Sequence, residues 1–149
     1  MTPGTAGANI SPEDAAMIDR RIESLRVEFQ PVAEKFLHMT REDLGIDVRV
    51  HETLRTPARQ TELSATGASD VTMGWHNVGL AFDFGCYLNG VYQADDRAGL
   101  YAKCGLIAQA LGCKWPIVIK SGADLGHVEY HPGFTLQQFL AGQKGGIVA

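Results

Sequence analysis

Two short segments of the sequence combine residue types that can bind a metal ion. The first, HNVGLAFD, runs from His76 to Asp83, and the second, DLGHVE, runs from Asp124 to Glu129. A catalytic zinc ion is typically held by three protein ligands and keeps one position open. Two imidazoles and one carboxylate, those of His76, Asp83 and His127, meet that requirement, which predicts a hydrolytic metal centre.

The surroundings of Asp83 also favour a metal ion. Phe82 and Phe84 flank it in an apolar segment that is typical of a strand. A buried carboxylate without a partner is costly, and a metal ion removes that cost. The seven-residue step from His76 suits a loop histidine followed by a strand residue. Gly79 allows the backbone to bend between the two.

Other polar residues near these segments have predicted supporting roles. Asp124, three residues before His127, is placed to take a proton from an attacking water and to return it to the leaving amine. On a strand, Glu129 would share a side with His127, where it would orient that ligand or contact substrate. His51 is a candidate for the wall of the cleft, and His131 is an alternative candidate for a metal ligand.

HNVGLAFDF followed by DLGHVEY resembles the metal-binding signature of the M15-type zinc peptidases, which share the hedgehog/D-Ala-D-Ala peptidase fold. The resemblance spans about residues 46–131 and implies that zinc binds the three predicted ligands, with Asp124 as the catalytic acid and base. In this family an upstream arginine binds a substrate carboxylate or stabilises the oxyanion. The segment LRT at 54–56 matches it, which implies that role for Arg55 and a polar substrate contact for Gln60.

One branch of the family is the most similar. Asp124 followed by GHVE, and the segment FGCYLNG that begins at Phe84, resemble phage endolysins, which cut the L-alanyl-D-glutamate bond of peptidoglycan stem peptides. The resemblance therefore implies a zinc-dependent endopeptidase whose partner is cell-wall peptide. One alternative is a D-alanyl-D-alanine carboxypeptidase or dipeptidase with the same zinc site. The other is a zinc-stabilised wall-binding or virion module with weak catalysis, because Gly74 replaces a serine that the family usually has.

Apolar spacing predicts an α+β fold with a small, mostly antiparallel sheet flanked by helices, of the hedgehog/DD-peptidase type. The predicted helices are 11–40, kinked or split at Pro31, a short one begun by Pro57, 95–111 and 134–140. The predicted strands are 46–50, 78–88, 91–92 after a turn at Asn89-Gly90, 115–119 and 126–130. We expect a single peptidase domain over 11–142, a disordered N-terminus over 1–10 and a loose C-terminal tail over 143–149.

The composition narrows the choice of partners and compartment. A net charge of −4 over 149 residues does not suggest a nucleic-acid binder, which usually has a basic face. Three cysteines without a pairing pattern favour a reducing compartment, and neither a signal peptide nor a membrane span is visible. We therefore expect a monomer that is made in the cytoplasm, does not insert into membranes, and acts on the bacterial wall after release.

Overall fold

The structure is a computed structural model that describes residues 18–65, 74–119 and 122–131. Its elements in chain order are a 3₁₀ turn (Ile22–Ser24), α1 (Gln30–His38), a π turn (Met39–Asp43), β1 (Asp47–Glu52), α2 (Pro57–Ala65), a second 3₁₀ turn (Trp75–Val78), β2 (Ala81–Leu88), β3 (Val91–Tyr92), α3 (Leu100–Ala110), β4 (Ile117–Ile119), β5 (Gly122–Asp124) and β6 (His127–Glu129). No helix in the described ranges is both long and apolar enough to cross a membrane. The predicted α+β class is confirmed.

Strand β2 is the centre of the main sheet, and all of its pairings are antiparallel. β1 pairs along one edge of β2, whereas β6 and β3 pair with the beginning and the end of its other edge. In this register Asp83 lies opposite Glu52 of β1 and opposite His127 of β6. β4 and β5 form a separate two-stranded sheet in which Ile117 pairs with Asp124. The strands therefore bring residues that are distant in sequence beside Asp83.

One face of β2 belongs to the core and the other to the site. Phe82, Phe84 and Cys86 are almost fully buried, and α1 packs against the two phenylalanines. The Phe36 ring lies 5.4 Å from the ring of Phe82 and 5.1 Å from the ring of Phe84. Asp83 points to the opposite face because side chains alternate along a strand. Burial of each large apolar side chain contributes about 1.5–3 kcal/mol, so the core determines which residues of β2 face the site.

The predicted helix 11–40 is only partly present. Its residues 11–17 lie outside the described ranges, 22–24 form a 3₁₀ turn, and α1 begins at Gln30 with Pro31 in its first turn. In the first turn of a helix proline needs no N–H partner and its φ already suits the helix. The chain is therefore split before the proline instead of being bent within one continuous helix.

Several other predicted elements agree with the structure, with changes in their bounds. The strand predicted from residue 78 begins at Ala81, because Gly79 has a φ of 76° and ends the preceding 3₁₀ turn. The hairpin turn at 89–90 and the helix begun by Pro57 are confirmed. β5 was not predicted and exists through its pairing with β4. The predicted helix 134–140 lies outside the described residues, and the domain bounds stay predictions.

We predict that Phe36→Ala lowers the free energy of unfolding by about 3–5 kcal/mol, because it leaves a cavity between α1 and β2. Alanine favours helix, so the loss would not come from helix propensity. Leu106→Ala on α3 is the matched control, since that residue is 65% exposed, and its expected cost is below about 0.5 kcal/mol. Urea denaturation measures both variants. Equal losses would contradict the central position of Phe36 in the core.

Candidate metal centre

His76 is positioned by the 3₁₀ turn that precedes β2. The Asn77 side-chain oxygen closes this turn by accepting from the Gly74 N–H at 2.7 Å, and its amide nitrogen donates to the carbonyl of Arg55 at 2.9 Å. Gly79 ends the turn in the left-handed region, and a side chain there would lie 2.9 Å from the backbone nitrogen of Arg26. Glycine is therefore required both by the conformation and by the close packing. The buried His76 ring is thereby held beside the start of β2.

The side chains of His76, Asp83 and His127 meet at one place. His76 Nε2 lies 3.1 Å from Asp83 Oδ1 and 3.2 Å from His127 Nδ1. The distance from His127 Nδ1 to Asp83 Oδ1 is 2.9 Å. We call this group the His-Asp-His triangle. Within the described part of the chain, it is the group of histidine and carboxylate side chains that could hold a metal ion.

Two hydrogen bonds decide which ring nitrogen of each histidine faces the His-Asp-His triangle. His76 Nδ1 lies 2.8 Å from the carbonyl oxygen of Thr53, which can only accept, so Nδ1 carries the hydrogen. His127 Nε2 donates in the same way to Glu129 Oε2, at 2.8 Å. Each neutral ring therefore directs a lone pair toward Asp83. Three acceptor atoms this close together require a cation among them, either a proton or a metal ion.

The His-Asp-His triangle fits a divalent metal ion in number, chemistry and spacing. Ligands about 2.0–2.2 Å from a tetrahedral zinc ion lie about 3.3–3.6 Å from one another, so the observed separations need to open only slightly. Nitrogen and carboxylate oxygen are ligands that zinc accepts, and three of them leave one position for substrate or water. The hydrogen bonds from the outer ring nitrogens are the kind that orient histidine ligands in metal sites.

The negative charge of the site favours a bound cation. Burial alone would raise the pKa of Asp83, but His76 and His127 hold it well below its ordinary value. Burial alone would lower the pKa of His127, but its hydrogen bonds to Asp83 and Glu129 raise it to about 10. Burial opposes ionisation of Glu129 as well, yet hydrogen bonds from His127 and His131 lower its pKa. Both carboxylates therefore stay ionised and stabilise positive charge between them.

Asp124 stands at the end of β5, just before the turn that leads to His127. That turn lies against β2, because the Phe84 N–H donates to the carbonyl of Gly126 at 2.7 Å. Burial and the charge of Asp83 raise the pKa of Asp124, whereas the two histidines of the His-Asp-His triangle act in the opposite direction. The Asp124 carboxyl group therefore lies within electrostatic reach of the triangle.

Arg55 is buried and binds other side chains of the protein. Its Nη2 lies 2.9 Å from Glu52 Oε1 and 3.1 Å from Asp83 Oδ2, and its Nη1 donates to Gln60 Oε1 at 3.0 Å. Arg59 binds the other oxygen of Glu52 at 3.2 Å. Arg55 thus holds the oxygen of Asp83 that the triangle does not use. The predicted substrate contacts of Arg55 and Gln60 stay predictions, but these two side chains bind each other.

Glu129 links two histidines on the other side of the site. Its oxygens lie 2.8 Å from His127 Nε2 and 2.8 Å from His131 Nε2. The His131 ring stacks on Trp75 with the ring centroids 4.2 Å apart and is not part of the triangle. The bonds of Glu129 are those of a residue that orients a ligand, whereas its predicted contact with substrate stays a prediction.

Glu52 and Thr53, at the end of β1, support the site but were not predicted from the sequence. Glu52 is buried, and a bulge between Val50 and Glu52 places it opposite Asp83 on the site face of the sheet. An acid three residues before Arg55 is the sequence signal for the buried ion pair that the two form. Thr53 contributes its backbone carbonyl, for which no residue type provides a signal.

Comparison with known proteins gives similarity in sequence and in fold. No protein-family model matches the chain. The L-alanyl-D-glutamate peptidase of Listeria phage A118 is 29% identical over 127 residues, which are 81% of this chain and 43% of that protein. The Serratia marcescens L-Ala D-Glu endopeptidase ChiX has a TM-score of 0.63 and 20% identity, over 83% of this chain and 90% of that chain. The vancomycin resistance D,D-dipeptidase VanXYg has a TM-score of 0.49 and 15% identity, over 78% and 58%.

These similarities confirm the predicted resemblance to the M15-type zinc peptidases. The fold is the one this chain shares with ChiX, and the sequence similarity is to the phage peptidase. The chain spans less than half the length of that phage relative. Within the fold that this chain shares with ChiX, the His-Asp-His triangle can hold a metal ion.

We predict that Arg55→Ala lowers the free energy of unfolding by about 3–5 kcal/mol, since it removes the cation that Glu52 and Asp83 share and leaves Glu52 with Arg59 alone. Metal affinity should fall with it, because Asp83 loses the group that holds its second oxygen. Arg97→Ala is the matched control: its ion pair with Asp95 is exposed, and its expected cost is below about 1 kcal/mol. Denaturation and zinc titration measure the two effects. Unchanged stability and metal affinity would contradict a positioning role for Arg55.

We also predict that metal binding releases a proton at neutral pH. With a pKa of about 10, His127 keeps its second proton at pH 7 in the metal-free protein. That proton must leave before the nitrogen binds a metal, so affinity should fall about tenfold per pH unit on acidification below that value. Calorimetric zinc titrations in buffers of different ionisation enthalpy count the protons released. His38→Ala, at an exposed site on α1, should leave the count unchanged, and pH-independent affinity would refute the mechanism.

Proposed function

We propose that this chain is a zinc-dependent endopeptidase that cuts peptidoglycan stem peptides at the L-alanyl-D-glutamate bond. The observation that carries the proposal is the His-Asp-His triangle, in which two histidine nitrogens and one carboxylate oxygen converge within 2.9–3.2 Å. Sequence similarity to a phage peptidase named for this bond supports the choice of substrate. The substrate partner is cell-wall peptide, on which the protein acts as a monomer after release from the producing cell.

In this mechanism His76, Asp83 and His127 hold the zinc ion. When bound, zinc would polarise the scissile carbonyl and lower the pKa of a water molecule. Asp124 takes the proton from the attacking water and returns it to the nitrogen of the leaving amine. Burial and the charge of Asp83 raise the pKa of Asp124, which suits a group that must first accept a proton and then give it back.

The surrounding residues keep the ligands in place. Thr53 and Glu129 hold the outer nitrogens of the two histidines, so each ring keeps the tautomer that binds a metal. Arg55 holds Asp83 through the oxygen outside the triangle. These hydrogen bonds prepare the site before substrate arrives. Loss of such a supporting bond typically lowers metal affinity or activity by about 10- to 100-fold.

We predict that the zinc-loaded protein, incubated with purified peptidoglycan, produces fragments with a new N-terminal D-glutamate. Chelation should abolish this product. Asp124→Asn should lower the rate by about 100- to 10,000-fold, because it removes the acid and base, while zinc content stays at the wild-type value. Asp95→Asn, an exposed carboxylate paired with Arg97, is the matched control and should keep full activity.

The products separate the proposal from its rivals by mass spectrometry. Release of free D-alanine would indicate a D-alanyl-D-alanine carboxypeptidase or dipeptidase in place of the endopeptidase. Binding to peptidoglycan without any product would indicate a wall-binding or virion module. A wild-type rate in the Asp124→Asn variant would refute the role given to that residue, whatever bond is cut.

A further inference from the structure

A wall of aromatic rings continues the site along β2. Side chains on one face of a strand follow a period of two, so Asp83, Gly85 and Tyr87 face the same side. Above Gly85 lie the rings of His51 and Tyr92, which a side chain on Gly85 would strike. We call His51, Tyr87 and Tyr92 the ring wall. It begins one step along the strand from a proposed metal ligand, and its three members are only partly buried.

The ring wall is held together by its own contacts. His51 Nε2 lies 2.8 Å from the Tyr87 hydroxyl. The Tyr92 ring lies 5.4 Å from the His51 ring and 5.5 Å from the Tyr87 ring, measured between centroids. Rings locked in this way form a surface along which the apolar parts of a peptide can pack. A peptide whose scissile carbonyl lies at the His-Asp-His triangle can therefore extend over this wall.

Stem peptides carry carboxylates, and the site itself is rich in acids. Glu52, Asp83, Asp124 and Glu129 all lie in or beside it, so a carboxylate of the substrate needs a cation to offset the repulsion. Arg55, the cation predicted for this purpose, already binds Glu52, Gln60 and Asp83. A different cation must therefore meet the substrate if a carboxylate is recognised at this end of the cleft.

Arg20 follows Asp19, whose backbone is bonded to the end of β1. The preceding carbonyl, that of Asp19, accepts hydrogen bonds from the Thr53 N–H at 2.6 Å and from the Thr53 hydroxyl at 2.9 Å. This anchors Arg20 close to the end of β1, and its positive charge acts on both His51 and Tyr87.

The guanidinium of Arg20 is exposed and available. The neighbouring carboxylate of Asp19 is bound by Arg21, at 2.9 and 3.1 Å. Among the described residues, Arg20 has neither a hydrogen bond nor an ion pair to any acid, in contrast to the buried Arg55, which binds three side chains. It is thus a cation beside the cleft that is still free to bind a ligand.

We propose that Arg20 binds a carboxylate of the stem peptide as the peptide lies over the ring wall. This inference rests on the proposed function for its choice of ligand. Two carboxylates of the stem peptide could be the group that Arg20 binds. One is the α-carboxylate of the D-glutamate, which is free when the chain continues through its γ-carboxyl group, and the other is the carboxylate at the peptide C-terminus. Arg20 then selects substrate, whereas Arg55 positions a metal ligand.

The experiment uses the peptide L-alanyl-γ-D-glutamyl-L-lysine with a CH₂–NH group in place of the scissile amide, so that it binds without being cut. Four forms are compared: both carboxylates free, either one amidated, and both amidated. We expect Arg20→Gln to weaken binding of the free form by about fivefold, as for an exposed ion pair. Arg20→Lys, which keeps the charge, should bind the free form with an affinity within about twofold of that of wild type.

Amidation identifies the carboxylate that Arg20 binds. If amidation of one carboxylate removes the difference in affinity between wild type and Arg20→Gln, that carboxylate is the one Arg20 binds. The two proteins should bind the doubly amidated peptide with equal affinity. Arg97→Gln, another exposed arginine, should bind all four forms as wild type does. The proposal is overturned if Arg20→Gln binds the free form normally, or if it loses the same affinity for the doubly amidated form.

Hydrolysis of the ordinary peptide is measured separately. A carboxylate-dependent loss of binding in Arg20→Gln without any cleavage by wild type would keep this inference and refute the proposed activity. Cleavage by wild type without such a loss would keep the activity and refute the role of Arg20. If wild type binds none of the four forms, the inference is refuted as well.

Discussion

Three acceptor atoms held within 3.2 Å of one another form the constraint on which the site depends. Two histidine lone pairs and a carboxylate oxygen cannot stay this close without a cation between them. Thr53 and Glu129 fix this arrangement, because they bind the outer ring nitrogens and leave the inner ones to a proton or a metal ion. The site therefore favours positive charge before any ligand binds, which is the condition for a preorganised metal centre.

Strand β2 connects the geometry of the site to the stability of the fold. Its core face carries Phe82 and Phe84, which pack against α1, and its opposite face carries Asp83. A shift in register by one residue would move the carboxylate into the core and a phenylalanine into the site. The free energy of aromatic burial therefore also holds Asp83 in place. Gly85 continues the same face without a side chain and makes room for the ring wall.

Buried charge is balanced across β1 and β2. Arg55 lies between Glu52 and Asp83, and Arg59 binds the second oxygen of Glu52. Removing one member of such a network leaves its partners buried and charged, which is costly. A guanidinium in this position is better suited to orient Asp83 than to receive an incoming ligand. This separation of roles is why an exposed arginine at the edge of the cleft is the better candidate for contact with substrate.

The sequence by itself determined the fold class and the three members of the triangle, because these depend on local spacing and residue type. Alternating apolar residues and a turn at Asn89-Gly90 were enough to predict the central hairpin. The tertiary structure alone decided the use of Arg55, the carbonyl of Thr53 and the place of Arg20 beside the ring wall. Those features depend on which strands pair and in what register, and a hydrogen bond between groups far apart in the chain leaves no pattern in either segment.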